Sequence, residues 1–353
     1  MDFTDQPAEI RKGENLEIAR VEKFIRDAVP GLSGEMTIQQ FPRGASNLTY
    51  LITIGGREMV LRRPPFGTKA KTAHDMNREY RILIALNPVF SYCPRPIVYT
   101  NDASIMGCPF YLMERVSGVI LRRDLPSGLD LTPQQVRHLF ERLVSVQFEL
   151  HTIDYHKIGL DNFGKPQGYV ERQVLGWSKR YRAAQTPDAP DCESVMAWLQ
   201  EHMPPDSENP AIIHNDFKLD NVVLDKKDPT KIIGVLDWEM ATIGDPLMDL
   251  GSSLAYWVES GDPPELQAIR TIPTHLEGAL SRKQMIAYYG ELSGRSIGDF
   301  SFYYCFGLFR LAVIAQQIYY RYYHGQTKDE RFKGLIYAVG ILEKVACNVI
   351  EKM

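Results

Sequence analysis

The sequence predicts an α+β chain in two lobes, a small β-rich one over residues 1–115 and a large, mainly helical one over residues 116–353. Three observations predict it. Short β-rich runs and turn signals crowd the first third, helical spacing dominates the rest, and 353 residues suit two domains or one two-lobed domain. The hydrophobic share of 44% and charged share of 24% belong to a globular chain and exclude disordered, collagen-like and coiled-coil classes.

The elements follow in order. Glu14–Val29 carries Leu16, Ala19, Phe24 and Ile25 at helical spacing, and Pro30-Gly31 stops it. Glu35–Phe41 and Leu48–Ile54 are β-rich. Gly55-Gly56 signals a two-residue hairpin, with Arg57–Arg63 as the return strand before Pro64-Pro65. Thr72–Leu86 reads as a helix, and Ile97–Thr100 and Phe110–Val116 as strands. The lobes join near Glu114–Gly118. Thr132 and Pro133 open a helix that runs to His151, as N-cap and first helical residue. Ala211–His214 is a short apolar strand, and Val222–Leu224 with Lys231–Leu236 forms a small hairpin. After Pro246 the chain is mainly helical to its end.

A net charge of -4 provides no basic field, so no nucleic-acid partner is expected. No run nears the ~18 apolar residues of a membrane helix, so no membrane partner is expected either. The first residues lack the basic and apolar regions of a signal peptide. The five cysteines are scattered, with no C-x-x-C, which fits a reducing cytoplasm rather than a disulfide framework or zinc ribbon.

The stretch that carries chemistry is His214-Asn215-Asp216-Phe217-Lys218-Leu219-Asp220-Asn221, an H-x-D-x-K-x-x-N pattern between apolar strands. Asp237 ends the next strand, in Leu236-Asp237-Trp238-Glu239. Phosphoryl transfer asks a protein mainly for positioning and charge neutralisation. Asp216 is placed to accept the proton of an acceptor hydroxyl, and Asp237 to hold Mg²⁺. Asn221 supplies a hard oxygen to the same ion, and Lys218 reaches the transferred phosphate as a point charge. The pattern resembles the catalytic loop of the kinase fold.

On these residues the chain resembles the aminoglycoside phosphotransferase-like (APH) kinases, which share a bilobal protein-kinase-like fold. The resemblance covers about residues 35–325. Asp237-Trp238-Glu239-Met240-Ala241-Thr242-Ile243-Gly244-Asp245-Pro246-Leu247-Met248-Asp249-Leu250 is similar to the family signature D-W-E-x-A-x-x-G-D-P-x-x-D-L. The resemblance implies ATP and Mg²⁺ as cofactors and a nucleotide site in the first lobe. Val60 would roof the adenine and Arg62 would reach the phosphates, in place of the usual Lys. Glu79 is either the partner of Arg62 or a residue on a solvated helix face. Gly44, Ser46 and Asn47 fill the place of the glycine-rich loop. Met113 would line the base, and the backbone of Glu114 and Val116 would bond its edge. Asp245 and Asp249, at a helix start, take structural roles as caps, with Asp245 the nearer candidate for a contact to the catalytic loop. Asn215 departs from a common Gly.

No long activation segment or Ala-Pro-Glu motif follows Asp237, so a small-molecule hydroxyl is expected as acceptor rather than a docked peptide. In Phe300–Tyr323, Phe302, Phe306 and Phe309 read as buried, and the tyrosine-rich end with Arg310, Arg321 and His324 as an acyl- or anion-accepting lining. Leu308–Gln317 and Val60–Pro65 are similar to a branch of the family that eukaryotes fuse to acyl-CoA dehydrogenase domains, which implies a hydroxyacyl acceptor. The alternatives are a catalytically weak nucleotide-binding regulator, on the reduced glycine loop and Arg62, or a protein kinase.

Overall fold

The computed structural model describes residues 3–42, 47–66 and 75–352. In chain order its elements are α1 (Ile18–Ala28), β1 (Met36–Gln40), β2 (Leu48–Ile54), β3 (Arg57–Arg63), α2 (Met76–Leu86), β4 (Pro96–Thr100), α3 (Ala103–Met106) and β5 (Phe110–Glu114). There follow α4 (Pro133–His151), α5 (Tyr169–Ala184), α6 (Glu193–Glu201), β6 (Ala211–Ile213), β7 (Val222–Leu224), β8 (Ile232–Val235) and β9 (Thr242–Gly244). The chain ends on α7 (Pro246–Leu254), α8 (Pro264–Ala268), α9 (Arg282–Ser293), α10 (Ser301–Tyr323) and α11 (Leu335–Ile350). The result is a mixed α+β protein with a β-sheet N-terminal part and a helical C-terminal part. Two compact units divide it, neither contiguous. One takes Met1–Ile120, Ile158–Leu160 and Asn221–Ala241, the other Leu121–Lys157, Asp161–Asp220 and Thr242–Met353.

The first unit is built on a five-stranded antiparallel sheet of order β1-β2-β3-β5-β4. Its central hairpin turns on Gly55 and Gly56, whose φ angles of 55° and 82° are those of a tight primed turn that glycine adopts without a Cβ penalty. Strand alternation sends Tyr50, Ile52, Met59, Leu61, Phe110 and Leu112 to one face, where they pack with Val21 and Ile25 of α1. The alternate set includes Val60, paired with Met113, and Arg62, paired with Tyr111. Helix α2 is capped by the Asp75 side chain on the Arg78 amide and packs on β4 and β5. The β7–β8 hairpin belongs to this unit too. Val119 and Leu224 exchange both backbone hydrogen bonds, at 2.9 and 2.8 Å, and Val235 donates to the Tyr92 carbonyl.

The second unit is helical around α10. Most of that helix is buried, including Phe302, Phe306 and Phe309, and it packs on α5, α7 and α11. At the crossing of α7 and α10, a Cβ on Gly307 would strike the Gly251 carbonyl, and one on Gly251 would strike the Tyr303 carbonyl, so only glycine permits this approach. Helix α4 starts on a full capping box, Thr132 with Gln135. Strand β6 pairs antiparallel with β9, a strand the sequence did not announce. The tyrosine-rich end of α10 differs from expectation. Arg321, Tyr323 and His324 are exposed, whereas Arg310, about three turns before Arg321, is buried against the Trp177 ring, 5.1 Å away. Every residue from Cys305 to Arg310 is buried, whereas beyond Arg310 burial is limited to Ala312, Val313, Ala315, Gln316 and Tyr319.

Candidate active site

In the first unit, β3 carries Arg62 into a cluster of acids. Its Nε lies 3.1 Å from Glu79 Oε1, its Nη2 donates to Asp237 Oδ1 at 2.8 Å, and Glu239 Oε2 is 3.9 Å away. Asn47 donates to the same Glu239 oxygen at 2.8 Å. Burial works against the Arg62 charge, but Glu79 above all, with Tyr111, Asp237 and Glu239, holds its pKa well above the ordinary value. Burial raises the Glu79 carboxyl in spite of Arg62.

Asp237 is one of three described non-glycine residues with positive φ, at 67°. Such a left-handed conformation persists only where its surroundings fix it. Here the following residue is pinned. The Trp238 indole donates to the Val235 carbonyl at 2.9 Å and meets the Phe90 ring edge-on. Two residues beyond Glu239, the Ala241 carbonyl accepts from Arg78. Across the hairpin, the Leu236 amide donates to the Asn221 carbonyl at 2.8 Å, which sets Asn221 beside the strand end that delivers Asp237.

These residues suit Mg²⁺. Asn221 and Asp237 offer hard oxygens, and the cluster holds three carboxylates to one guanidinium. Among the described residues no three His, Cys, Asp or Glu side chains form a cage by themselves. Mg²⁺ commonly takes one or two carboxylates and completes its shell with water and phosphate oxygens.

The remaining candidates of this unit line β3 and β5. Val60 and Met113 are buried cross-strand partners. Glu114 turns its side chain to Arg57 and Arg95, at 3.6 and 3.4 Å, and its amide donates to the Arg95 carbonyl. Val116 packs against Gly234, where a Cβ would meet it at 2.7 Å. Gly44 and Ser46 lie outside the described residues.

In the second unit, the loop after β6 presents Asp216. Tyr256 donates its phenol to Asp216 Oδ1 at 3.0 Å, and Lys218 Nζ lies 3.4 Å from Oδ2. Lys218 also reaches Asp220 at 3.3 Å and sits 4.5 Å over the Tyr256 ring. Burial pushes the Asp216 carboxyl up, but Lys218, Arg310, His214 and the Tyr256 hydrogen bond outweigh it, and its pKa falls below the usual carboxylate range. Lys218 stays charged, since Asp216, Tyr256 and Asp220 overcome its desolvation.

Asp249 holds the backbone of this loop. It accepts the His214 amide at 3.2 Å and the Asn215 amide at 2.5 Å, and also His151 Nε2 at 2.9 Å and Gln147 Nε2 at 3.1 Å. Burial opposes its charge, yet His151, His214 and Gln147 bring its pKa down to about 2. Asn215 has a φ of 65°, a conformation that asparagine tolerates and glycine adopts freely. Asp245 takes the capping role that its place at a helix start suggested. It caps α7 through the Leu247 and Met248 amides, while Asp249, one turn further on, faces β6.

Sequence reasoning missed Tyr256 and Glu239, and named Arg310 only as part of an acceptor lining, not as a charge acting on Asp216. Glu239 stood inside the D-W-E motif and could have been marked. Tyr256 sits 40 residues from its partner in no motif and gave no signal.

Residues 37–277 match the Phosphotransferase enzyme family, APH. Acyl-CoA dehydrogenase family member 11 of Rattus norvegicus is 32% identical over 346 residues, which cover 94% of this chain and 43% of the relative. The chain therefore spans less than half the length of that curated relative. A crystal structure from Ralstonia eutropha JMP134, named as a candidate aminoglycoside phosphotransferase, is 29% identical with a TM-score of 0.80, covering 96% of this chain and 99% of the other. The GDP complex of aminoglycoside 2'-phosphotransferase-IIIa shares the fold at 17% identity, with a TM-score of 0.62 and coverage of 93% and 99%. Sequence match, likeness of fold and the two acid-bearing loops agree, and the chain belongs to the APH phosphotransferase enzyme family.

Proposed function

We propose that the protein is an ATP- and Mg²⁺-dependent small-molecule kinase that moves the γ-phosphoryl group of ATP to a hydroxyl. The observation that carries this reading is the Asp216 carboxylate, oriented at both oxygens by Tyr256 and Lys218 and held ionised below the usual carboxylate range. Asp216 takes the proton of the acceptor hydroxyl as its oxygen bonds to the terminal phosphorus. The bond from that phosphorus to the bridging oxygen breaks, and its electron pair leaves with the nucleoside diphosphate. Lys218 offers its charge to the transferred group. Arg62, steadied by Glu79, faces the α- and β-phosphates, with Val60 and Met113 against the base, Glu114 and Val116 along its edge, and Gly44, Ser46 and Asn47 over the phosphates. Asn221 and Asp237 would hold Mg²⁺, whose charge neutralises the phosphate oxygens.

A hydroxyacyl compound is the acceptor class this reading favours. The relative carrying an acyl-CoA dehydrogenase name supports it, as does the Arg310 charge that acts on Asp216, which favours an anionic acceptor over a polycation. Among the described residues no helix is long and apolar enough to cross a membrane.

The test is incubation with labelled ATP and a metabolite extract, with mass spectrometry for a new phosphate ester. Loss of a general base costs about 10²–10⁴-fold in rate, so Asp216→Asn is expected to remove nearly all product while ATP still binds. Full turnover in that variant would overturn the assignment.

A further inference from the structure

We infer that Arg123, Arg270 and His275 build a binding site for a phosphate group, on the segment that leads into α4 and the loop between α8 and α9. The site stands without the kinase reading above; its service to the acceptor rests on that reading.

Two buried nitrogens mark it. The Nε of Arg270 and the Nδ1 of His275 are closed to solvent and have no hydrogen-bond partner among the described residues. Arg270 is only 8% exposed, so its guanidinium is held inside the surface. An N–H without an acceptor is costly inside a protein, and such a place calls for a water or an ion. The local charge decides between them. Arg270 from the same loop, and Arg123 and Asp124 from the segment before α4, are the charged groups that bear on His275, two guanidiniums to one carboxylate. That carboxylate is 68% exposed and accepts from Arg270 Nη2 at 2.9 Å, while Arg123 Nε stands 4.0 Å from it. A water leaves the excess positive charge as it is, whereas an anion offsets it. Three residues supply donors, and a phosphate group has an oxygen for each where a carboxylate has two.

The frame is fixed by backbone carbonyls. Arg123 Nη1 donates to Ala268 at 3.0 Å, and Arg270 Nη1 donates to Arg123 and Ile272. Beside His275, the buried Thr274 hydroxyl donates to the Val258 carbonyl at 2.7 Å and accepts the Val258 amide at 3.0 Å. Val258 lies two residues beyond Tyr256, which bonds Asp216, and Arg122, next to Arg123, bears on Asp220. Both links run to the loop that carries the proposed base, which suits a phosphate carried by the acceptor. Burial above all, then Arg270 and Arg123, hold the His275 pKa below its ordinary value against Asp124. A phosphate beside the ring favours its charged form, so binding raises the midpoint.

The experiment titrates the full chain, with carbon-13 in its histidine rings, with inorganic phosphate and no nucleotide. The His275 signal is the one missing in His275→Gln. The expected result is a saturable shift of that signal and a rise of its midpoint. Affinity is expected to fall about 10-fold in Arg123→Gln and to increase in Asp124→Asn, which removes the competing carboxylate. A gain in affinity is a change that misfolding does not imitate. A signal that phosphate leaves in place, or that chloride at equal ionic strength moves as far, would overturn the inference, and acetate bound as tightly would overturn the phosphate class. Labelled ATP with a metabolite extract then separates the sources. Less phosphate-ester product in Arg123→Gln assigns the site to a phosphate on the acceptor, whereas undiminished product overturns that role and leaves the site to free phosphate. No nucleotide enters the first measurement, so its failure leaves the kinase reading standing. Full turnover in Asp216→Asn would remove that reading without touching the site.

Discussion

The carboxylate of Asp249 accepts the backbone amide of Asn215 across 34 residues of sequence, at 2.5 Å, in a place closed to solvent. The same carboxylate serves His151, Gln147 and the His214 amide, so one side chain satisfies four donors. Asp249→Ala leaves all four without that acceptor. Breaking a buried ionic network by removing one partner costs about 3–5 kcal/mol, and urea unfolding of the variant is expected to show a loss of that size.

The same residue sets an acid limb of stability. Its pKa is lowered from 3.8 to about 2 in the folded protein. Folding is therefore favoured while the carboxyl is ionised, fully so above about pH 4. That contribution, about 2 kcal/mol, is lost as the pH falls through the folded value toward 2. Denaturant midpoints measured from pH 5 to pH 2 are expected to fall more steeply in the native protein than in Asp249→Asn, whose side chain does not titrate.

Arg62 balances buried charge in the sheet unit. Arg62→Met leaves Glu79 buried beside an apolar chain and is expected to destabilise by about 3–5 kcal/mol. The double variant Arg62→Met with Glu79→Leu removes both charges and is expected to recover most of that loss, since apolar residues of similar volume replace buried pairs at little cost. A smaller recovery would show that Asp237 and Glu239, the other acids near Arg62, carry part of the pairing energy.

The β2–β3 turn separates two adjacent glycines. A Cβ on Gly56 meets nothing within 4 Å, so Gly56→Ala costs only its positive φ, about 1 kcal/mol. On Gly55 the added carbon collides with the Ser33 carbonyl as well, and Gly55→Ala is expected to cost at least about 2 kcal/mol. Thermal melts of the two variants check the order.

Local pattern made much of this legible in the sequence. Strands β2 and β3 span the same residues that the sequence marks, Leu48–Ile54 and Arg57–Arg63, because the Gly55-Gly56 turn between them fixes the register. The Asp216 loop and the Asp237 loop were legible because their residues are close in sequence. The rest depends on distant partners. The first helix starts at Ile18 rather than Glu14, since Glu14 is drawn to Arg11 and Gln40. Strand β9 has three residues and exists through its ladder with β6. Helical geometry, not motif order, turns Asp249 to the Asp216 loop and leaves Asp245 at the cap. Tyr256 and Arg310 act on Asp216 from 40 and 94 residues away, distances at which no spacing rule operates.

The interleaving of the two units bears on how such a gene can be recombined. Residues 221–241 complete a body whose other strands lie before residue 120, with α4, α5 and α6 of the helical part encoded in between. A single crossover between homologous genes inside 121–220 would therefore pair the front of one parent's sheet unit with the Asp237 ribbon of the other, and mate Gly118 and Val116 with a foreign Leu224 and Gly234. Chimeras that keep their stability are those that move the two stretches together, so the inherited module is a pair of separated segments rather than a half of the chain.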